Sequence, residues 1–216
     1  MYTPSAFREN SINTMHDLMH ARPLGLLVTH GATGLQASPL PFLLYADEGQ
    51  WGVLRAHVAR ANPHWRELSG MTECLIIFQG VDGYITPSWY RSKTTTGKVV
   101  PTWNYATVHA WGKPTIIEDA GWLHRQINDL THAQERSRPR PWSIDDAPAD
   151  YIATQLKAVV GIEVVIGRIE GKWKMSQNKD EADRVGVIQG LRSPDDPHQN
   201  PVVADAIEHA ARSKSD

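Results

Sequence analysis

Short apolar runs separated by still shorter turns, repeated from residue 24 to residue 117, constrain this chain more than any other feature. Residues 24–29 read as a strand, Gly31-Ala32-Thr33-Gly34 as a turn and residues 35–45 as the return strand. Asp47-Glu48-Gly49-Gln50 is a second turn, and residues 51–58, 73–79, 84–90 and 107–117 read as further strands. A parallel crossover needs a dozen or more residues, so connections this short suit antiparallel neighbours. Pro39 and Pro41 cannot donate to a ladder, which makes the return strand irregular or places it on an edge. Strands at this spacing predict a barrel or a sandwich.

Helical periodicity appears around this core. Ile12, Met15, Leu18 and Met19 share one helix face, stopped by Pro23, and Trp122, Leu123, Ile127 and Leu130 mark a helix over 119–136. Residues 151–160 read as helix up to Gly161, followed by strands at 162–166 and 172–175 hinged at Gly171. A further helix is expected from about Asp180 to Leu191, and an amphipathic stretch from Pro201 to about Arg212. The fold class is therefore mainly β (α+β), antiparallel, with peripheral helices. A chain of 216 residues buries enough surface to need no disulfide or metal staple. Its one cysteine, Cys74, cannot form an intrachain bridge, which fits a reducing compartment. The N-terminus lacks a basic flank leading into an apolar run, and nothing approaches the roughly 18 apolar residues of a membrane span, so a cytoplasmic location is expected. The 22 basic and 24 acidic residues give no global field for holding nucleic acid.

Three clusters could carry chemistry. The densest holds Tyr84-Ile85-Thr86-Pro87-Ser88-Trp89-Tyr90, then Lys93, then Val100-Pro101-Thr102-Trp103-Asn104-Tyr105. Aliphatic residues would pack a core with fewer polar atoms to satisfy. Aromatic surfaces with Lys, Ser and Thr suit a flat heterocycle carrying an anionic tail, although a Trp- and Tyr-rich sheet end with polar turn caps has the same composition. The second cluster, His57-Val58-Ala59-Arg60-Ala61-Asn62-Pro63-His64, leaves a strand and could meet an anion through Arg60, or be a solvated turn in which Asn62-Pro63 initiates a helix. The third, Lys172-Trp173-Lys174-Met175-Ser176-Gln177-Asn178, puts two lysines on one strand face, as an anion-facing strip or an exposed edge would. Other chemistries find less support. His16 and His20 lie on one helix face with Asp17 where a zinc protease motif has Glu, and no third ligand is evident, so no metal is expected. No Gly-rich phosphate loop follows a strand, and no serine sits in a Gly-x-Ser-x-Gly turn.

At these clusters the chain resembles the PaiB family, the FMN-binding negative transcriptional regulators of bacteria. The resemblance is carried by His57-Val-Ala-Arg60-Ala-Asn62-Pro63, Tyr84-Ile-Thr-Pro-Ser-Trp-Tyr90 with Lys93, and Val100-Pro-Thr-Trp-Asn-Tyr105 with His109. Gly161-Ile-Glu163 and Lys174-Met-Ser-Gln-Asn178 with Asp183-Arg184 complete it, in matching order over residues 1–191. It implies an FMN-binding split β-barrel domain over 1–191, similar to pyridoxamine-phosphate oxidase, with 192–216 as a polar, helical tail. It also implies a homodimer holding FMN between subunits. Carried over by motif, Arg60 and Lys93 fall near the flavin phosphate, Ser88 and Thr102 donate hydroxyl hydrogen bonds, and Trp89 and Trp103 pack near the ring. His57, Asn62, Asn104, Lys174 and Gln177 are further candidates for phosphate, ribityl or ring contacts. Nothing resembles a DNA-binding motif, so DNA contact is implied by the family alone, with Arg136, Arg138 and Arg140 as the best local basic patch. Alternatives are a flavin-dependent oxidoreductase acting on a small molecule, and an interaction protein that has lost its flavin site.

Overall fold

The computed structural model describes residues 1–32 and 34–212. Thr33 of the Gly31–Gly34 turn and the last four residues of the tail lie outside the described residues. The strands are β1 (Arg8–Glu9), β2 (Leu24–Gly31), β3 (Gly34–Pro41), β4 (Leu43–Tyr45), β5 (Val53–Ala59), β6 (Cys74–Ile85), β7 (Thr102–Ile117) and β8 (Val159–Lys174). They are hydrogen-bonded in the order β3-β2-β6-β7-β8-β5-β4, with β1 on β8, in the antiparallel split-barrel fold that the family resemblance implies. Helices α1 (Ile12–Ala21), α2 (His64–Leu68), α3 (Ser92–Thr95), α4 (Ala120–Glu135), α5 (Ala149–Lys157), α6 (Glu181–Arg192) and α7 (Pro201–Arg212) connect or follow the strands.

Several boundaries differ from the sequence expectation. The strands expected at 73–79 and 84–90 are one strand, β6, which continues through Gly80 and Gly83. Residues 87–89 form a 3-10 turn instead, because Pro87 brings no N–H and the Thr86 hydroxyl accepts from the Ser88 N–H at 3.2 Å. The segments at 162–166 and 172–175 are likewise one strand, β8, in which Gly171 pairs with Glu9 rather than acting as a hinge. The helix expected to reach residue 160 stops at Lys157, where β8 captures the chain. The return strand is interrupted at Phe42, whose N–H donates to the Pro23 carbonyl at 2.8 Å.

The chain divides into two compact units. The first comprises Met1–Ser11, Gln79–Val108 and the chain from Glu170 onward; the second comprises Ile12–Phe78 and His109–Ile169. In the second unit, Leu27, Leu54, Ile76, Ile162 and Leu123 are almost wholly buried and Phe42 meets Phe78 edge-on with ring centres 6.0 Å apart. Each such side chain contributes about 1.5–3 kcal/mol of transfer free energy. Buried His64 bridges β2 and β3 by bonding Thr29 Oγ1 at 2.7 Å and Ser38 Oγ at 2.8 Å. Such a bridge satisfies both ring nitrogens in a place where neither reaches water. In the first unit α6 and α7 bury Val187, Leu191, Val203, Ala204 and Ile207, and Arg192 of α6 donates to Asp205 and Glu208 of α7 at 2.6 and 2.8 Å.

Cys74 begins β6 inside the second unit and its thiol donates to the Gly112 carbonyl at 3.4 Å. Burial, reinforced by Glu73, pushes the thiol up to about 12. The reactive thiolate is therefore scarce at neutral pH. Native protein is expected to resist iodoacetamide and to be labelled only after denaturation; mass spectrometry showing native alkylation at a comparable rate would contradict this burial. Among the described residues no helix is long and apolar enough to cross a membrane.

Candidate functional site

The first unit draws three separated sequence segments into one polar and aromatic cluster. The 3-10 turn after β6 leads directly into α3, and this short piece is tied to α6 by a buried carboxylate. Asp183 accepts from the Ser92 N–H at 2.8 Å and the Ser92 hydroxyl at 2.7 Å. Burial opposes the charge of Asp183, but the Ser92 bonds and the Lys179 ammonium outweigh it and hold the carboxyl below its ordinary value. Within the segment so fixed, Lys93 Nζ donates to Ser88 Oγ at 3.3 Å. The Lys179 ammonium lies 4.5 Å from the centre of the Tyr90 ring. Tyr90 itself is 2% exposed and its hydroxyl has no hydrogen-bond partner among the described residues.

The start of β7 meets the end of β8 in the same unit. Lys174 Nζ donates to the Thr102 hydroxyl, and the Asn104 amide donates to Ser176 Oγ at 2.9 Å in a buried pair. Ser176 takes a left-handed backbone conformation (φ 59°), which turns the chain out of β8 and sets its hydroxyl under Asn104. Lys172 is buried, donates to the Tyr2 carbonyl at 3.2 Å and sits 5.2 Å from the Tyr105 ring centre. Burial lowers the Lys174 ammonium below its ordinary range; the Tyr105 phenol raises it, while the neighbouring ammoniums of Lys172 and Lys179 lower it further. Two cations pressing on a third, partly desolvated one make a place where an anion is favoured. Next along β7, Trp103 is 53% exposed and meets Tyr84 edge-on at 6.0 Å, and the His198 ring lies tilted against Tyr84 with centres 4.7 Å apart. Ammonium and hydroxyl donors next to an uncovered indole fit a phosphate attached to a flat ring.

The remaining sequence candidates occupy other settings. Trp89 donates its indole N–H to Asp196 at 3.0 Å and lies against Gly186 and Gly190 of α6. Gln177 has both amide ends committed to its own turn, accepting from Met175 N–H at 2.7 Å and donating to the Trp173 carbonyl at 2.6 Å. His57, Arg60 and Asn62 belong to the second unit. There His57 Nδ1 bonds buried Gln126 Oε1 at 2.8 Å, and Asn62 accepts from the His64 N–H at 3.0 Å. Arg60 pairs with Glu118 and donates to the carbonyls of Lys157 and Val159 at 3.0 and 3.3 Å, which braces the junction of β5 with β8. Lys179 and His198, which lie outside the sequence motifs, complete the cluster together with Tyr90 and Tyr105, which lie inside the motifs without a role of their own; the spacing of Asp180 and Asp183 before an apolar run is the sign in the sequence of α6 and its cap.

Residues 1–168 match the family described as "Putative FMN-binding domain". The chain belongs to this family. It is a PaiB-type member, and FMN is its cofactor. A protein of Bacillus subtilis named "Protease synthase and sporulation protein PAI 2" is 28% identical, with 92% of each chain covered. An uncharacterized protein of Emericella nidulans is 37% identical over 89% of this chain and 91% of its own. Among solved structures, the flavocytochrome Anf3 from Azotobacter vinelandii superposes with a TM-score of 0.57 at 16% identity, covering 83% of this chain and 75% of that one. The FAD- and heme-binding protein from Mycobacterium smegmatis gives 0.54 at 17% identity, covering 77% and 73%. These two establish the shared fold. Lys172, Lys174 and Lys179 lie just beyond the residues that the family pattern matches.

Proposed function

We propose that this protein is a homodimeric, FMN-binding negative regulator of the PaiB type, with its flavin held at the lysine-rich cluster of the first unit. The observation that carries the reading is the Lys174 ammonium donating to Thr102 within the field of Lys172 and Lys179, one residue along β7 from the uncovered Trp103. Lys174 and Thr102 receive the phosphate, with Lys93 and Ser88 as the second donor pair, and Trp103 offers its face to the ring. Asn104 holds the turn that carries Lys174, Gln177 stiffens that turn, and Trp89 seats the 88–93 segment on α6. His57, Arg60 and Asn62 set the end of β5. The bound flavin supplies a ring able to accept and return electrons. The name of the Bacillus subtilis relative, which refers to sporulation, supports a regulatory role. DNA contact falls to Arg136, Arg138 and Arg140, exposed after α4, with Arg138 paired to Glu135 at 3.3 Å.

The test is made on protein purified without added flavin. Expected are a flavin absorbance spectrum, release of FMN by mass, and a salt-dependent mobility shift of the DNA upstream of its own gene that unrelated DNA does not show. Colourless protein that fails to take up FMN would overturn the cofactor site. Steady NAD(P)H turnover on a small molecule without any DNA shift would replace regulation by oxidoreduction.

The dimer rests on a face in the second unit. Alternation along β2 turns Leu24, Leu26 and Val28 to one side, and their register partners Pro41, Pro39 and Ala37 on β3 face the same way. Leu75 and Ile77 of β6, paired with Val28 and Leu26, extend it. Leu24 and Leu35 are 64% and 78% exposed, so the patch is apolar and open to solvent. Because β3 is an edge strand carrying prolines, a second copy adds face to face and not by strand pairing. Leu26→Lys is expected to turn a dimer into a folded monomer, as read by light scattering; an unchanged mass would remove this face from the interface.

A further inference from the structure

We propose that residues 94–100 form a strap that closes over the bound flavin nucleotide and delivers Lys98 to its phosphate. The inference rests on the flavin reading above and adds Lys98 to its donors. Both ends of the strap are fixed at that site. At one end Ser92 is held by Asp183, next to Lys93 with its bond to Ser88; at the other, Thr102 is held by Lys174. Between the anchors, hydrogen bonding among the described residues stays local. The Thr94 hydroxyl donates to the Arg91 carbonyl at 2.9 Å, and the Thr96 hydroxyl to the Ser92 carbonyl at 3.1 Å. The N–H of Lys98 donates to Thr96 Oγ1 at 3.2 Å, and that of Val99 to the Gly97 carbonyl at 3.0 Å. Every residue from Lys93 to Lys98 is exposed, and Val100 is 70% exposed. Local bonds and little burial mark a segment that opens and closes at low cost.

Charge makes the closure depend on the ligand. Lys98 has no ion pair among the described residues. Lys172, Lys174 and Lys179 already press on one another, so without an anion a fourth ammonium is repelled and the strap stays open. A phosphate among them reverses the sign and draws Lys98 in as a further charge-assisted donor. The reach suffices: Lys98 lies four positions before Thr102, which keeps their backbones within about 14 Å, and its side chain is a flexible four-carbon stem. Closure also lets Val100, three positions before Trp103, withdraw its exposed apolar surface from water against the bound ring.

The test is limited trypsin digestion of the full chain, alone and saturated with FMN or riboflavin, with cleavage of the Lys98–Val99 bond followed by mass spectrometry. FMN is expected to slow this cut about tenfold or more, and riboflavin, which lacks the phosphate, far less. The Arg136–Ser137 bond, exposed in the second unit, should be cut equally in all three samples. By stopped flow, Lys98→Gln should raise the FMN dissociation rate about tenfold, the loss of a charge-assisted hydrogen bond, and change association by less than about threefold. Its riboflavin dissociation and the melting temperature of its flavin-free form should match the parent protein, and Lys98→Arg should restore slow release of FMN. Equal cutting at Lys98 with and without FMN, or release of FMN from Lys98→Gln at the parent rate, would overturn the proposal. Protein that takes up no FMN overturns the flavin reading itself. FMN that binds, depends on Lys174 and leaves Lys98–Val99 open to trypsin removes the strap alone.

Discussion

Lys174→Ala is expected to weaken FMN binding by about 1.5–3 kcal/mol, the value of a hydrogen bond to a charged group. At 1.4 kcal/mol per decade this is roughly ten- to a hundredfold in Kd, measurable by quenching of flavin fluorescence. The effect arises because the substitution removes the donor nearest Thr102 and leaves the phosphate to Lys172 and Lys179, of which the first is already tied to the Tyr2 carbonyl. Lys174→Arg keeps the charge and should recover most of the affinity. The pH dependence separates this from general damage. Burial and two like charges lower the Lys174 ammonium from its ordinary 10.5 in the folded protein. Between the lowered value and 10.5 the unfolded chain binds the extra proton, so Lys174 makes the flavin-free protein gain stability as pH rises through that window. FMN needs the charged form, so its affinity falls over the same window. Opposite trends in melting temperature and in Kd are thus expected, and Lys174→Arg should flatten both. If Arg60→Ala reduces FMN affinity without lowering the melting temperature, while Lys174→Ala leaves it unchanged, the phosphate is read in the second unit.

What the sequence disclosed follows a physical division. Alternating apolar residues have only one good arrangement beside short turns, so the antiparallel β character, the edge position of Pro39 and Pro41, and the helices at 12–21 and 120–135 were legible. Glycines misled the strand boundaries. Gly80 and Gly83 within β6 and Gly171 within β8 carry turn chemistry locally, but neighbouring strands hold them extended, and that tertiary pairing is invisible to a local pattern. The site shows the same split. Lys93, Thr102, Trp103 and Lys174 stand out by residue type, but their partners do not. Asp183 reaches Ser92 across 91 positions and Lys174 reaches Thr102 across 72. Trp89 is the sharpest case, since an indole in a polar segment suggests a ring platform whether its face is open or covered. Only the three-dimensional neighbours decide, and they are two glycines on a helix read separately as a surface element.

Those glycines support the second large prediction: Gly186→Ala and Gly190→Ala will destabilise the protein although alanine is the better helix former. On propensity alone each change inside α6 would stabilise by about 0.8–1 kcal/mol. The packing reverses the sign. A Cβ at 186 would lie 2.1 Å from the Trp89 carbonyl oxygen, and one at 190 would lie 2.4 Å from three atoms of the Trp89 indole. Residues four apart share a helix face, so α6 rests on Trp89 through both positions. Overpacking of this kind typically costs about 1–3 kcal/mol, which at about 2–4 °C per kcal/mol for a chain of this size means a loss of several degrees in melting temperature by circular dichroism. The two sites then diverge in a Trp89→Ala background. The three nearest atoms to a Cβ at 190 all belong to the indole, so removing it should make Gly190→Ala neutral or stabilising, a coupling with reversed sign. Gly186→Ala meets the backbone, which Trp89→Ala leaves in place, so its cost should persist. Gly121→Ala, whose new methyl group would meet only the ends of the Asp119 and Arg125 side chains at 3.3 and 3.5 Å, serves as the control. Should Gly186→Ala raise the melting temperature as Gly121→Ala does, α6 is not seated on this segment.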